Sequence, residues 1–180
     1  LEEVGKQRSV SMSPDEAPAV ISMQRIGEVF EEYESNSSVM IVLEGDQPLG
    51  DDTRAYYADL IDRLEADTRH VEHIQDLWSD PLTASGAQSA DGRATYFQVY
   101  LAGNQGEALA NESVAAVQDI VAESQPPDGV AAYVTGASAL AAEQENAGHE
   151  SMRTVEALTF LVITIMLVLF FRSIVTTLLI

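Results

Sequence analysis

The sequence predicts an α+β domain with its elements in the order β-α-β-β-α-β, preceded by an amphipathic helix and followed by a transmembrane α-helix. Three observations carry this expectation. Short runs of β-branched and aromatic residues alternate with stretches of helical periodicity. Clusters of Gly, Pro, Ser and Asp punctuate the runs. From residue 157 onward the chain turns apolar on every side, with no polar stripe. With 46% apolar and 21% charged residues, the composition is that of a folded domain.

The N-terminal segment, residues 1–36, holds PDEAPAVISMQRIGEVFEEYESN. Pro14 and acidic residues open it, and Val20, Met23, Val29, Phe30 and Tyr33 fall near one helical face, which predicts an amphipathic first helix. SSVMIVLEG at 37–45 packs adjacent apolar residues between polar ones, the mark of a buried central strand. In GDDTRAYYADLIDRLEAD, Asp51 or Asp52 suits a helix start, and Tyr56, Tyr57, Leu60, Ile61 and Leu64 follow 3.6 periodicity. A strand is expected around Val71 to Trp78, with Val71, His73 and Gln75 on one face, Ile74 on the other, and a slip of register because the alternation is imperfect.

PLTASGAQSADGR returns the chain as a hairpin into the strand ATYFQVYLAG. EALANESVAAVQDIVAESQ is an Ala-rich helix stopped by Pro126 and Pro127, and VAAYVTG supplies the fourth strand. Residues 37–137 therefore read as a split β-α-β, or ferredoxin-like, unit. A connecting helix is expected over 138–156, with Gly148 as a joint.

Ala157 to Phe171 is uncharged over about 15 residues, roughly 22 Å of helix against ~30 Å of hydrocarbon. The flanks extend its reach. Arg153 and Glu156 pair at i,i+3 spacing at one interface, and Arg172 snorkels at the other. A transmembrane helix is thus expected over 157–172, with Arg153 and Arg172 as interface anchors. Residues 173–180 are expected to form a cytoplasmic turn and the start of another span, so the chain reads as truncated within a membrane bundle. Positive-inside logic puts Arg172 in the cytoplasm and the residues before about 150 outside it.

Charge and composition exclude several classes. The 29 Asp and Glu against 9 Lys and Arg give a net charge of −20, which repels nucleic acid and anionic head groups. The absence of Cys removes disulfides, zinc-thiolate sites and thiol nucleophiles. LEEVGKQRSV lacks the basic-then-apolar order of a signal peptide.

SSVMIVLEGDQPLGDDTRAYY, VTGASALAAEQ and LVLFFRSIVTTLL together resemble the first porter half of the resistance-nodulation-division exporters, and within them the mycobacterial MmpL branch. The resemblance covers about residues 13–180. It implies a porter domain that gates a periplasmic path for proton-driven export of lipids or siderophore-like amphiphiles. It also implies a multi-pass protein of the bacterial inner membrane, with a second porter domain and a small membrane-anchored, MmpS-like accessory protein as partners. The family's proton relay belongs to later membrane helices, so no relay residue is expected in this chain, and no catalytic residue or cofactor.

Several patterns invite other chemistry. His70 and His73 in HVEH suggest a metal only if the segment is helical, since on a strand they point apart; no metal site is expected. The acidic clusters EVFEEYE and GDDT lack calcium-loop spacing, and the five Met are scattered. Asn36 and Asn111 open N-x-S sequons, which matter only in a eukaryotic secretory setting. Trp78, Tyr96, Phe97 and Tyr100 present two readings: aromatic walls of an amphiphile path, carried chiefly by Trp78, Tyr96 and Phe97, or core packing of the hairpin strands. An enzymatic, acylphosphatase-like reading founders on EGDQPLGDD, which is acidic where an anion-binding Arg loop would be needed. The competing non-transport reading is a membrane-anchored acidic binding or assembly module.

Overall fold

The computed structural model describes residues 16–178, and in its last helix the side chains at 145, 146, 148–151, 153, 154 and from 171 onward lie outside the described set. The expected helix start at Pro14 also lies outside the described residues. The first helix described is α1, Pro18–Phe30, with Pro18 in its first turn, where a missing N–H costs nothing. Then follow β1 Ser37–Gly45, α2 Asp51–Glu65, β2 Val71–Gln75, a short α3 Ala84–Ala87, β3 Ala94–Leu101, α4 Ala108–Glu123, β4 Val130–Thr135 and α5 Ala137–Leu178.

The four strands form one sheet in the order β2-β3-β1-β4, and every neighbouring pair is antiparallel. This is the expected split β-α-β topology. β3 lies between β1 and β2, and β1 lies between β3 and β4, so each β-α-β unit threads a strand through the other.

Alternation sets the two sheet faces. On β1, Val39, Ile41 and Leu43 are fully buried, and on β3 Phe97, Val99 and Leu101 lie beside them. α2 covers this face with Tyr57, Leu60 and Leu64, and α4 with Val114 and Val117. The apolar periodicity read in α2 therefore points into a core that α2 shares with α4. The outer face carries Met40 and Val42 from β1, half-buried, and Tyr96, Gln98 and Tyr100 from β3.

Some expectations change. β2 ends at Gln75 and not at Trp78, while the expected slip of register is present as a bulge between Val71 and His73. Val71 and Ile74 are in consequence both buried, although strict alternation puts them on opposite faces. The α1 face is also different: Val20 and Gly27 are buried, whereas Val29 and Phe30 are exposed. Tyr33 lies past the helix, beyond Glu31 in the left-handed conformation, and reaches burial by a turn rather than by helical periodicity.

The segments expected as a connecting helix and a span are a single helix, α5, with no break at Gly148. Its first turns belong to the compact unit of residues 1–142, where Ala139 and Ala142 join the core and the Ser138 hydroxyl accepts the Ser38 N–H at 3.1 Å. In the second unit, residues 143–180, every described side chain from 155 to 170 is exposed, including Phe160, Met166 and Phe170. Among the described residues no helix is long and apolar enough to cross a membrane. The expected span over 157–172 takes in Phe171 and Arg172, whose side chains are outside the described set, as is that of Arg153.

Candidate functional site

Trp78 and Phe97 are core residues. Tyr57 contacts both edge-on, with ring centroids 5.1 Å from each. Trp78 is 1% exposed and Phe97 0%, and both belong to the buried apolar cluster. The Arg54 guanidinium carbon lies 4.3 Å from the Trp78 ring centre and covers it from α2. Tyr96 differs: its neighbour Phe97 points in, so its own half-buried ring stands on the opposite face of the sheet.

The Tyr57 hydroxyl donates to Asp76 at 2.5 Å. The same Asp76 oxygen accepts the Trp78 and Ser79 amides at 3.1 and 3.0 Å. Burial opposes the Asp76 charge, yet the hydrogen bonds from Ser79, Tyr57 and Trp78 outweigh it and hold the carboxyl below its usual range. Burial, with Asp76 beside it, pushes the Tyr57 phenol far upward. The pair fixes the chain as it leaves β2 and has the geometry of a structural brace.

The outer face carries a second aromatic group. Tyr33 stacks on Tyr100, and His73 lies 5.9 Å from the Tyr100 ring and 3.9 Å from the Glu32 carboxylate. Glu72 accepts the Glu34 and Ser35 amides at 2.9 and 3.1 Å, and the Ser35 hydroxyl donates to the Leu101 carbonyl. Segment 31–36 is thereby strapped over the β2 and β3 end of this face. The strap was unreadable in sequence, because it depends on a left-handed Glu31 and on Gly27. A Cβ added at Gly27 would lie 2.0 Å from the Tyr33 carbonyl oxygen.

HVEH is divided between two structural tasks. The His70 ring nitrogen meets Asp67 at 2.8 Å in the turn before β2, and His73 faces Glu32. Among the described residues no three His, Asp or Glu side chains are grouped to hold a metal ion. Asn36 is engaged as well, its side-chain oxygen accepting the Gln105 amide at 2.8 Å.

An open cleft of about 460 Å³ lies at the far end of β1, between the start of α2 and the turn before β4. Asp46, Asp51, Asp52 and Asp128 line it. The positive end of α2 already carries Asp51 and Asp52 in its first turn, so the cleft repels phosphate and carboxylate ligands.

A four-stranded antiparallel sheet in interleaved β-α-β units, running without a linker into a helix of exposed apolar residues, defines a class: an α+β domain wired to a hydrophobic helix. The chain belongs to the MMPL family, whose family model matches residues 11–180. It is similar to the siderophore exporter MmpL5 of Mycobacterium tuberculosis (strain CDC 1551 / Oshkosh), 60% identical over 98% of this chain and 18% of that protein. It is similar also to the probable transport protein MmpL9 of Mycobacterium tuberculosis (strain ATCC 25618 / H37Rv), 57% identical over 100% of this chain and 19% of the relative. The phthiocerol dimycocerosate exporter MmpL7 of the same strain is 35% identical over 70% of this chain and 14% of its own length. The chain thus spans about a fifth of the length of the first two relatives.

Proposed function

We propose that this chain is the first porter domain, with its following helix, of a proton-driven exporter in the resistance-nodulation-division manner. Its cargo would be a lipid or a siderophore-like amphiphile, and its role a transporter's and not an enzyme's. The observation that carries this is covalent: the folded, acidic α+β unit passes into α5 with no linker, and between 155 and 170 α5 exposes large apolar side chains at most positions, among them Leu158, Phe160, Met166 and Phe170. Such a helix is costly in water and is stabilised in hydrocarbon, at about 25 cal/mol per Å² of apolar surface removed from water. In this reading residues 157–172 are the segment that enters the bilayer of the plasma membrane, with Arg153 and Arg172 as interface anchors. The acidic unit lies on the extracytoplasmic side, where it works against a second porter domain and an MmpS-like accessory protein. The exporter names of MmpL5 and MmpL7 support the cargo class.

The test is transport by the complete protein in proteoliposomes under an imposed proton gradient. Movement of a siderophore or lipid that collapses with the gradient supports the proposal. Absence of movement with every amphiphile tried, in protein that is folded and inserted, overturns it and leaves the anchored binding module. Orientation is read separately, by labelling cysteines introduced in the exposed 89–91 loop and at Ser173. External labelling of the loop with Ser173 protected is expected, and the reverse pattern overturns the extracytoplasmic placement.

A further inference from the structure

The two edges of the sheet are unlike. β2 is five residues long, carries Glu72 and His73, is bulged at its start and is strapped by segment 31–36 through Glu72. These are the devices by which a sheet edge is kept from pairing with another chain. β4, at the other edge, reads VAAYVT, with no charge, no proline and no bulge.

The ladder tells which β4 groups are free. Gly45 donates to Arg93 on the β3 side, and Asp46 donates to Gly129 on the β4 side. With the register Glu44↔Ala131 and Val42↔Tyr133, alternation directs the N–H and C=O of Ala131, Tyr133 and Thr135 toward β1. Those of Ala132 and Val134 then point away from the sheet. Among the described residues nothing pairs with them. Tyr133 is 52% exposed beside them, so the edge is reachable.

We propose that β4 is a docking edge, which accepts one extended strand from a part of the same polypeptide outside residues 1–180. The partner strand is uncharged or basic. Charge decides against a second copy of this domain, because two units drawn from a chain of net charge −20 repel one another when brought edge to edge. Chain length favours an internal partner: the chain covers 18% and 19% of two relatives, so most of such a polypeptide lies elsewhere and is held at high effective concentration. The inference rests on family membership and the ladder geometry, and stands whether or not the protein moves an amphiphile.

The experiment uses the complete protein with Tyr133→p-benzoylphenylalanine, photocross-linking and peptide mapping, together with hydrogen exchange of the Ala132 and Val134 amides. Cross-links to a segment of the same polypeptide outside residues 1–180 are expected, with both amides exchanging at least about tenfold slower than a free edge allows. Ala132→Pro removes one outward donor at an edge position that tolerates proline. It is expected to lower the cross-link yield several-fold while the β1 and β3 amides stay protected. Free exchange at Ala132 and Val134, no cross-link, or cross-links only within residues 1–180, to another protein or to position 133 of a second copy overturns the proposal. The exchange measurement on the unsubstituted strand decides the matter if Ala132→Pro does not fold.

Discussion

Tyr33 and Tyr100 stack face to face, with ring centroids 3.9 Å apart and planes within 5°. One comes from the turn after α1 and the other from the centre of the sheet, so this contact holds the N-terminal helix to the outer face. Tyr33→Ala is expected to destabilise the domain by about 3–5 kcal/mol, as for a buried aromatic. A double-mutant cycle with Tyr100→Ala is expected to return a coupling of about 0.5–1.5 kcal/mol, measured by urea unfolding of the complete chain in detergent.

Gly27→Ala tests the same contact from the other side. In an open helix this change gains about 0.5–1 kcal/mol, but here the new methyl collides with the Tyr33 carbonyl. The expected net effect is a loss of about 1–3 kcal/mol from overpacking. A stabilised variant would show that segment 31–36 does not press on α1.

The stack also has an alkaline limit. Burial, with Tyr33 and Glu32 beside it, pushes the Tyr100 phenol from 10.0 up to about 12. A raised folded value means that this contribution is complete below pH 10 and is lost as pH rises through about 12. Tyr100→Phe is expected to flatten the stability profile in that window, as read by circular dichroism at graded pH.

Asp76 sets the acid side. Its carboxyl is held below the ordinary 3.8, so its contribution is present above 3.8 and is lost as pH falls through the lower folded value. Asp76→Ala leaves the Tyr57 hydroxyl and two amides without their acceptor, at an expected cost of about 1–3 kcal/mol. Asp76→Asn is expected to remove the acid-dependent part while restoring some of the stability.

Much of the fold was legible because it rests on period. The run in β1 is continuously apolar between polar ends, and Tyr57, Leu60 and Leu64 recur at helical spacing, so a central strand and the helix face that covers it were legible. The misreading of the first helix occurs where a local backbone feature overrides period: the left-handed Glu31 carries Tyr33 out of the helical series, whereas the slip at Val71/His73 was legible in the imperfect alternation of VEHIQ. Candidate site residues were harder, because an aromatic in a strand has the same sequence signature whichever face it takes. Phe97 and Tyr96 are adjacent, yet Phe97 is fully buried in the core while Tyr96 is half-buried and packs against it only in part. Trp78 gave no clue of its own to the Tyr57 and Arg54 contacts that enclose it.

The interleaving of the strands has a consequence for biosynthesis. β1 is made first, yet both its neighbours are made late, β3 closing at Leu101 and β4 at Thr135. Pairings of such long sequence separation are slow to form, and the one hairpin of consecutive strands, β2 with β3, does not contain β1. A ribosome that has delivered β1 and α2 has delivered a sheet with its middle strand unpaired on both sides. The domain therefore completes its sheet only once residue 135 is free of the ribosome, with the largely polar residues 137–156 still to follow before the apolar run of α5.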